Sequence, residues 1–177
     1  MSGRHVMVDI ETLDTRASAV IVSIGAVQFD PNSRLTGLSF YVRLDMDAQL
    51  KAGRTVSDSA ISWWAQQLNL ARNVFCEPVT PAVEGLRAFN AFVADAEGVW
   101  GNGSDFDNAI LASANDTFGL KGWSYRRNRC YRTLKQLAAN RNLPGLTRQG
   151  VRHNALEDAY YQAQRLQAIV ANLKLDI

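Results

Sequence analysis

A chain of 177 residues, 47% hydrophobic and 20% charged, is long enough to bury a full core and reads as one domain spanning 1–177, which sets aside disordered and fibrous classes. It has no apolar run near the roughly 20 residues of a membrane span, and its N-terminal residues lead straight into an extended segment, so the expectation is a cytoplasmic protein without a membrane partner. A net charge of +2 does not mark a nucleic-acid binder by itself, and Cys76 and Cys130 lack disulfide-framework or zinc spacing and read as packed thiols.

At the start of the chain, Val6, Val8 and Ile10 alternate with Met7, Asp9 and Glu11, the period of a strand with one buried face. Asp9 and Glu11 then share a face. Adjacent carboxylates repel unless a cation lies between them, and Mg²⁺ sites commonly combine one or two carboxylates with substrate phosphates. Acids pointing into water account for the same pattern, and D-x-E alone does not choose. Residues 19–29 predict a second strand, 30–33 a turn and 38–44 a third strand, an antiparallel meander with the acidic strand first.

Helical patterns follow. Ser57 or Asp58 caps a helix carrying Ile61, Trp64 and Leu68; Thr80 caps another, with Pro81 at its first position and Val83, Leu86, Phe89 and Val93 as its stripe. Val99 and Trp100 predict a short buried strand, 101–104 a loop, and Ile110, Leu111, Ala114 and Phe118 the inner face of the next helix. Thr133 is expected to cap a helix with Leu134, Leu137 and Ala138 inward, ended by Pro144 and Gly145; Leu156, Ala159, Ala163, Leu166, Val170 and Leu173 mark the last helix. Strands first, then helices around a later strand, indicate an α/β or α+β domain with a mixed sheet.

Three segments carry candidate chemistry. The loop 102–108 follows the short strand, where open α/β sheets present functional groups, and it holds both Asp105 and Asp107. These two share a face if the loop is extended, but Ile110 and Leu111 stand three and four residues beyond Asp107, which anchors Asp107 near the strand ends. At the last helix, Asn154 and Glu157 have capping-box spacing, leaving His153 just outside the helix and Asp158 on its first turn. The run 125–132 contains four arginines and two tyrosines, types that clamp phosphates and stack on bases, although a solvated loop accounts for it as well.

Together these segments resemble the DEDD superfamily of 3′ to 5′ exonucleases, which includes proofreading exonucleases, RNase T and oligoribonuclease. Asp9-Ile10-Glu11-Thr12 resembles the first block, Phe106-Asp107 with Ile110-Leu111 the second, and His153-x-Ala155-x-x-Asp158 the third in its histidine (DEDDh) form. Ile61-Ser62-Trp63-Trp64 with Gln67 and Ala71-Arg72, Trp100-Gly101-Asn102-Gly103, and Arg132-Thr133-Leu134 are similar to the exonuclease VIII-like and RNase AS-like branch. The resemblance implies an RNase H-like fold with a five-stranded mixed sheet flanked by helices. It also implies a nucleic-acid substrate, DNA or RNA, with a free 3′ end, release of nucleoside monophosphates, and a homodimer. The expected mechanism uses two Mg²⁺ or Mn²⁺ ions, bridged by Asp9 and completed by Glu11, Asp107 and Asp158, with His153 taking the proton of the attacking water. Thr12, through its backbone, and Leu13, as an apolar wedge, are expected beside the terminal nucleotide; Asn102, Arg126, Arg127 and Arg129 are the other expected substrate contacts. The alternative is a module that holds a nucleic-acid end without cutting it. Such proteins tend to lose a metal ligand or the histidine, and here all five positions are filled.

Overall fold

Three runs of β-branched and aromatic residues pair as the expected meander in a computed structural model that describes residues 5–177. Strands β1 (His5–Thr12), β2 (Ile21–Phe29) and β3 (Thr36–Arg43) are antiparallel neighbours. β4 (Gly98–Gly101) lies parallel to β1, and β5 (Asn128–Cys130) parallel to β4, giving a five-stranded mixed sheet in the order β3-β2-β1-β4-β5. The acidic strand is therefore central.

Alternation along β1 sorts its side chains into two cores instead of one core and a wet face. Val6, Val8 and Ile10 pack with Leu86 and Phe89 of α4 (Ala82–Phe92) and with Ile110 and Leu111 of α5 (Asp107–Thr117). Met7 is as fully buried on the opposite face, with Ala159, Ala163 and Leu166 of α7 (Ala155–Leu173) and Tyr131 of α6 (Tyr131–Asn140). Asp9 and Glu11 point to that second face, where the start of α7 covers them in part: Glu11 is buried and Asp9 half-buried, so they are not acids at a fully solvated strand end. Among the described residues, no helix is long and apolar enough to cross a membrane.

Several local expectations are corrected. A helix that periodicity did not reveal, α1 (Met46–Lys51), buries Gln49, whose amide bonds both the N–H and the carbonyl of Ile21 at 2.8 Å. Ser57 caps α2 (Asp58–Ala65) as expected, but only Trp64 is buried; Ile61 is half-exposed, and Leu68 lies past the helix end, exposed ahead of α3 (Asn69–Arg72). Pro81, not Thr80, occupies the N-cap of α4, because the Thr80 backbone is spent pairing with Arg43 and Asp45 at the end of β3. Helix α6 begins at Tyr131, so Thr133 lies inside it, Leu137 is partly exposed, and the helix stops at Asn140, before Pro144. Cys76 is exposed and Cys130 partly buried, so the first is not a packed thiol.

Candidate active site

The position of β1 in the sheet decides where its acids go. Asp9 lies directly across from Gly25 of β2, and a Cβ on Gly25 would collide with the Ala155 carbonyl carbon and the Leu156 nitrogen. Helix α7 therefore rests its first turn on the sheet beside Asp9. Asn154 caps that turn, its Oδ1 accepting from the N–H groups of Leu156 and Glu157, both at 3.1 Å. The expected capping box is only half formed, because the Glu157 carboxylate reaches back to the Val151 N–H. His153 then turns out of the helix with φ of 63°, and its N–H donates to Asp158 Oδ2 at 2.8 Å.

Asp107 arrives from the other side of the sheet. It opens α5, is 2% exposed, and its Oδ1 accepts from the Ile10 N–H, between the two acids of β1, at 3.3 Å. Its Oδ2 is buried without a hydrogen-bond partner. Asp105, two residues earlier, is exposed. Ligand atoms of Glu11, His153 and Asp158 lie within 4.8 Å of one another, and Gln162, one turn after Asp158, donates to Asp9 Oδ1 at 2.7 Å. Asp9, Glu11, His153 and Asp158 line one open cleft of about 590 Å³, together with Asn102, Lys135, Arg148, Arg152, Tyr161 and Arg165.

Crowding perturbs the acids as physics requires. The low-dielectric surroundings of Asp9 and the charges of Asp107, Glu11 and Asp158 hold its carboxyl well above the usual range, against the Gln162 hydrogen bond. Burial, then Asp158 and Asp107, push Glu11 up to about 8, with Arg148 opposing. Burial pushes Asp107 up to about 7 despite the backbone donors that favour its anion. Burial lowers His153, outweighing the attraction of Asp158. Four converging carboxylates, one with an unpartnered buried oxygen, are an oxygen donor set for hard divalent cations.

A second, more apolar recess of about 390 Å³ adjoins the acids, lined by Ile10, Glu11, Thr12, Trp63 and Phe106 among others. The exposed Trp63 also meets His153, the ring centroids 4.7 Å apart and the planes at 87°. Thr12 thus lies beside the site, its carbonyl accepting from Trp64 Nε1 at 3.0 Å. Leu13 does not: it is 7% exposed, packs with Val20, Val22 and Trp64, and lines neither hollow. Arg126, Arg127 and Arg129 are also placed away from the cleft. They precede or lie in β5, which runs parallel to β4, so they stand toward the N-terminal ends of the parallel strands, whereas the acids stand toward the C-terminal ends. Arg127 donates to the Ala94 and Ala96 carbonyls and Arg129 to those of Arg126 and Asn128. Of that run Tyr131 lines the cleft, and of its arginines only Arg132, past the strand, turns toward the site, onto the Asn102 carbonyl at 2.7 Å. The basic residues of the cleft were missed because they come from α6, α7 and the loop between them; Gln162 alone had a signal, four residues after Asp158 on one helical face.

This placement separates Asp107 from Asp105. Asp107→Asn should weaken Mn²⁺ binding and lower turnover by about 10² to 10³-fold, the scale of losing one aligned charge-stabilising group. Asp105→Asn should change turnover by less than about threefold, since a surface substitution is worth roughly 0.5 kcal/mol or less. Parallel turnover measurements at saturating Mn²⁺ check both, and an inactive Asp105 variant beside an active Asp107 variant would reverse the assignment.

Solved structures share this architecture. The nuclease domain of 3′hExo, a DEDDh family member, bound to rAMP, matches at TM-score 0.64 and 12% identity over 97% of this chain and 92% of that one. Exonuclease X in complex with 5′ overhanging duplex DNA matches at 0.60 and 17%, over 97% and 94%. The zinc-bound E. coli ExoI–ssDNA complex matches at 0.68 and 11%, over 98% of this chain but 42% of that one, so the chain spans less than half of that enzyme. At such identities the likeness is one of fold, the RNase H-like fold of DEDDh exonucleases. No curated protein matches the chain in sequence. The model of the 3′-5′ exoribonuclease Rv2179c-like domain matches residues 4–170, nearly the whole length, and the chain belongs to that family of 3′-5′ exonucleases.

Proposed function

We propose that the protein removes nucleotides from the free 3′ end of RNA, releasing nucleoside monophosphates, with two Mg²⁺ or Mn²⁺ ions held by Asp9, Glu11, Asp107 and Asp158. The observation that carries the reading is the convergence of these four carboxylates and His153 from β1, α5 and the start of α7. RNA is favoured over DNA by the family's description as exoribonucleases. When bound, the ions activate a water and neutralise the charge that develops on the leaving 3′ oxygen. His153 supplies the base that accepts the proton of the attacking water. It stands outside the helix, steered by its own N–H to Asp158 and by the Trp63 ring. The recess beside Thr12, between Trp63 and Phe106, offers apolar walls for the terminal base, and Lys135, Arg152 and Arg165 give the cleft wall a positive charge for the backbone.

The test is a time course on 5′-labelled single-stranded RNA and DNA of one sequence, with Mn²⁺ and with EDTA. Stepwise shortening of RNA in Mn²⁺ only is expected. Binding without shortening in any metal would favour the end-holding module, and faster loss of DNA would overturn the RNA preference. His153 adds a pH signature. A base must be neutral, and burial lowers its proton affinity, so the rate should rise with an apparent pKa below about 6.5 and then flatten. His153→Ala should lose about 10² to 10⁴-fold in turnover while still binding Mn²⁺ in a calorimetric titration; retained turnover would remove the base assignment.

A further inference from the structure

The acidic cluster already contains a cation of its own. Arg148, in the segment between α6 and α7, forms an ion pair with Asp158 Oδ1. The other oxygen, Oδ2, is taken by the His153 N–H at 2.8 Å. Both oxygens of Asp158 therefore have donors, and an ion that uses Oδ1 meets the positive charge of the guanidinium already beside it. Arg148 is built to move away. Its guanidinium lies 5.0 Å from the centroid of the Tyr161 ring, and its Nε is buried without a hydrogen-bond partner. Its backbone belongs to a segment with left-handed residues at Asn142 and Gly150 and no regular secondary structure between Arg141 and Asn154. Arg152 and Arg165 line the same cleft, so the displaced guanidinium remains on a wall suited to phosphate oxygens, which guanidinium groups bind in a planar, two-pronged fashion.

Resting on the metal-dependent reading above, we propose that Arg148 competes with the divalent cation for Asp158, and that the cation, on binding, hands the guanidinium over to a non-bridging phosphate oxygen of the nucleic acid. One side chain thereby balances the carboxylates before the metal arrives and holds the substrate afterwards. Metal binding and substrate binding are coupled through it, since each favours the same position of Arg148.

Two charge-removing variants, Arg148→Met and Arg148→Gln, and the charge-retaining Arg148→Lys are compared with the wild-type chain. The Gln variant keeps a donor in case the Met variant does not fold, as judged by thermal unfolding. Mn²⁺ is titrated calorimetrically without nucleic acid; then a fluorescent single-stranded phosphorothioate RNA is titrated at saturating Mn²⁺. The charge-removing variants should bind Mn²⁺ about tenfold more tightly and the RNA about fivefold more weakly, with Arg148→Lys close to wild type in the metal titration. A merely structural role predicts the opposite sign for the metal, because a loosened segment would misplace His153 and Asp158. Equal or weaker Mn²⁺ affinity in the charge-removing variants, or unaltered RNA affinity, overturns the exchange and leaves the metal site standing. No Mn²⁺ binding to any of the four proteins would instead remove the metal reading itself, and this proposal with it.

Discussion

Asp9→Asn is expected to lower exonuclease turnover by about 10³-fold or more, beyond the loss of a single charge-stabilising donor, while raising the thermal stability of the metal-free protein. The Asp9 carboxyl is acted on by Asp107, Glu11 and Asp158 together. Asparagine keeps an oxygen to accept from Gln162, so the change removes charge and little else. Relief of repulsion on the order of 1 kcal/mol corresponds to a melting temperature higher by about 2 to 4 °C for a domain of this size. The pH dependence has a fixed sign. Carboxyls whose pKa is raised in the folded state contribute stability fully present below their unfolded values near 4, lost as pH rises through the folded values, about 7 for Asp107 and about 8 for Glu11. In EDTA the wild-type melting temperature should therefore fall between about pH 4 and pH 8. Mn²⁺ should cancel the fall, adding about 2.7 kcal/mol at a hundredfold excess over its dissociation constant. In Asp9→Asn the fall should be shallower and the Mn²⁺ gain smaller. Differential scanning fluorimetry across pH, with and without Mn²⁺, checks all three, and near-normal turnover in the variant would remove Asp9 from the catalytic set.

Gly25→Ala should damage both fold and activity although Gly25 carries no functional group. Its missing side chain is the space in which the backbone of Ala155 and Leu156 sits. One methyl group there meets main chain, which cannot rotate away, so α7 must lift from β2. Overpacking of this kind costs about 1 to 3 kcal/mol, sometimes more, or roughly 2 to 12 °C in melting temperature. The lift also carries Asp158 and His153 away from Asp9 and Glu11, and a displacement near 1 Å at a reacting centre can cost about 10²-fold in rate. Turnover at a temperature where the variant is fully folded separates the two effects. A folded Gly25→Ala protein with normal Mn²⁺ affinity and turnover would show that α7 is free to shift without consequence for the site.

The sequence alone determined the parts that depend on local periodicity and on short-range spacing. The meander of β1 to β3, the shared face of Asp9 and Glu11, and His153 just ahead of the long helix are all set by neighbours within a few residues, and backbone geometry turns such spacing into direction. It also carried the residues by which the family was recognised. Tertiary structure alone decided what surrounds those acids. That β1 is central depends on β4 pairing with its free edge and β5 extending the sheet beyond it, and the burial of its two faces depends on α4 and α5 on one side and α6 and α7 on the other, which changes Asp9 and Glu11 from strand-end acids into members of a desolvated cluster. The arginines show the same limit. Arg126, Arg127 and Arg129 form a conspicuous run, yet the parallel direction of β5 puts them toward the far end of the sheet, while Arg148, part of no local pattern, reaches Asp158 because the segment between α6 and α7 lines the cleft. Leu13 follows the site's first motif by a single residue but is drawn into the core by Val20, Val22 and Trp64. Strand direction, loop closure and competition for core space are properties of the assembled sheet, and no window of the chain encodes them by itself.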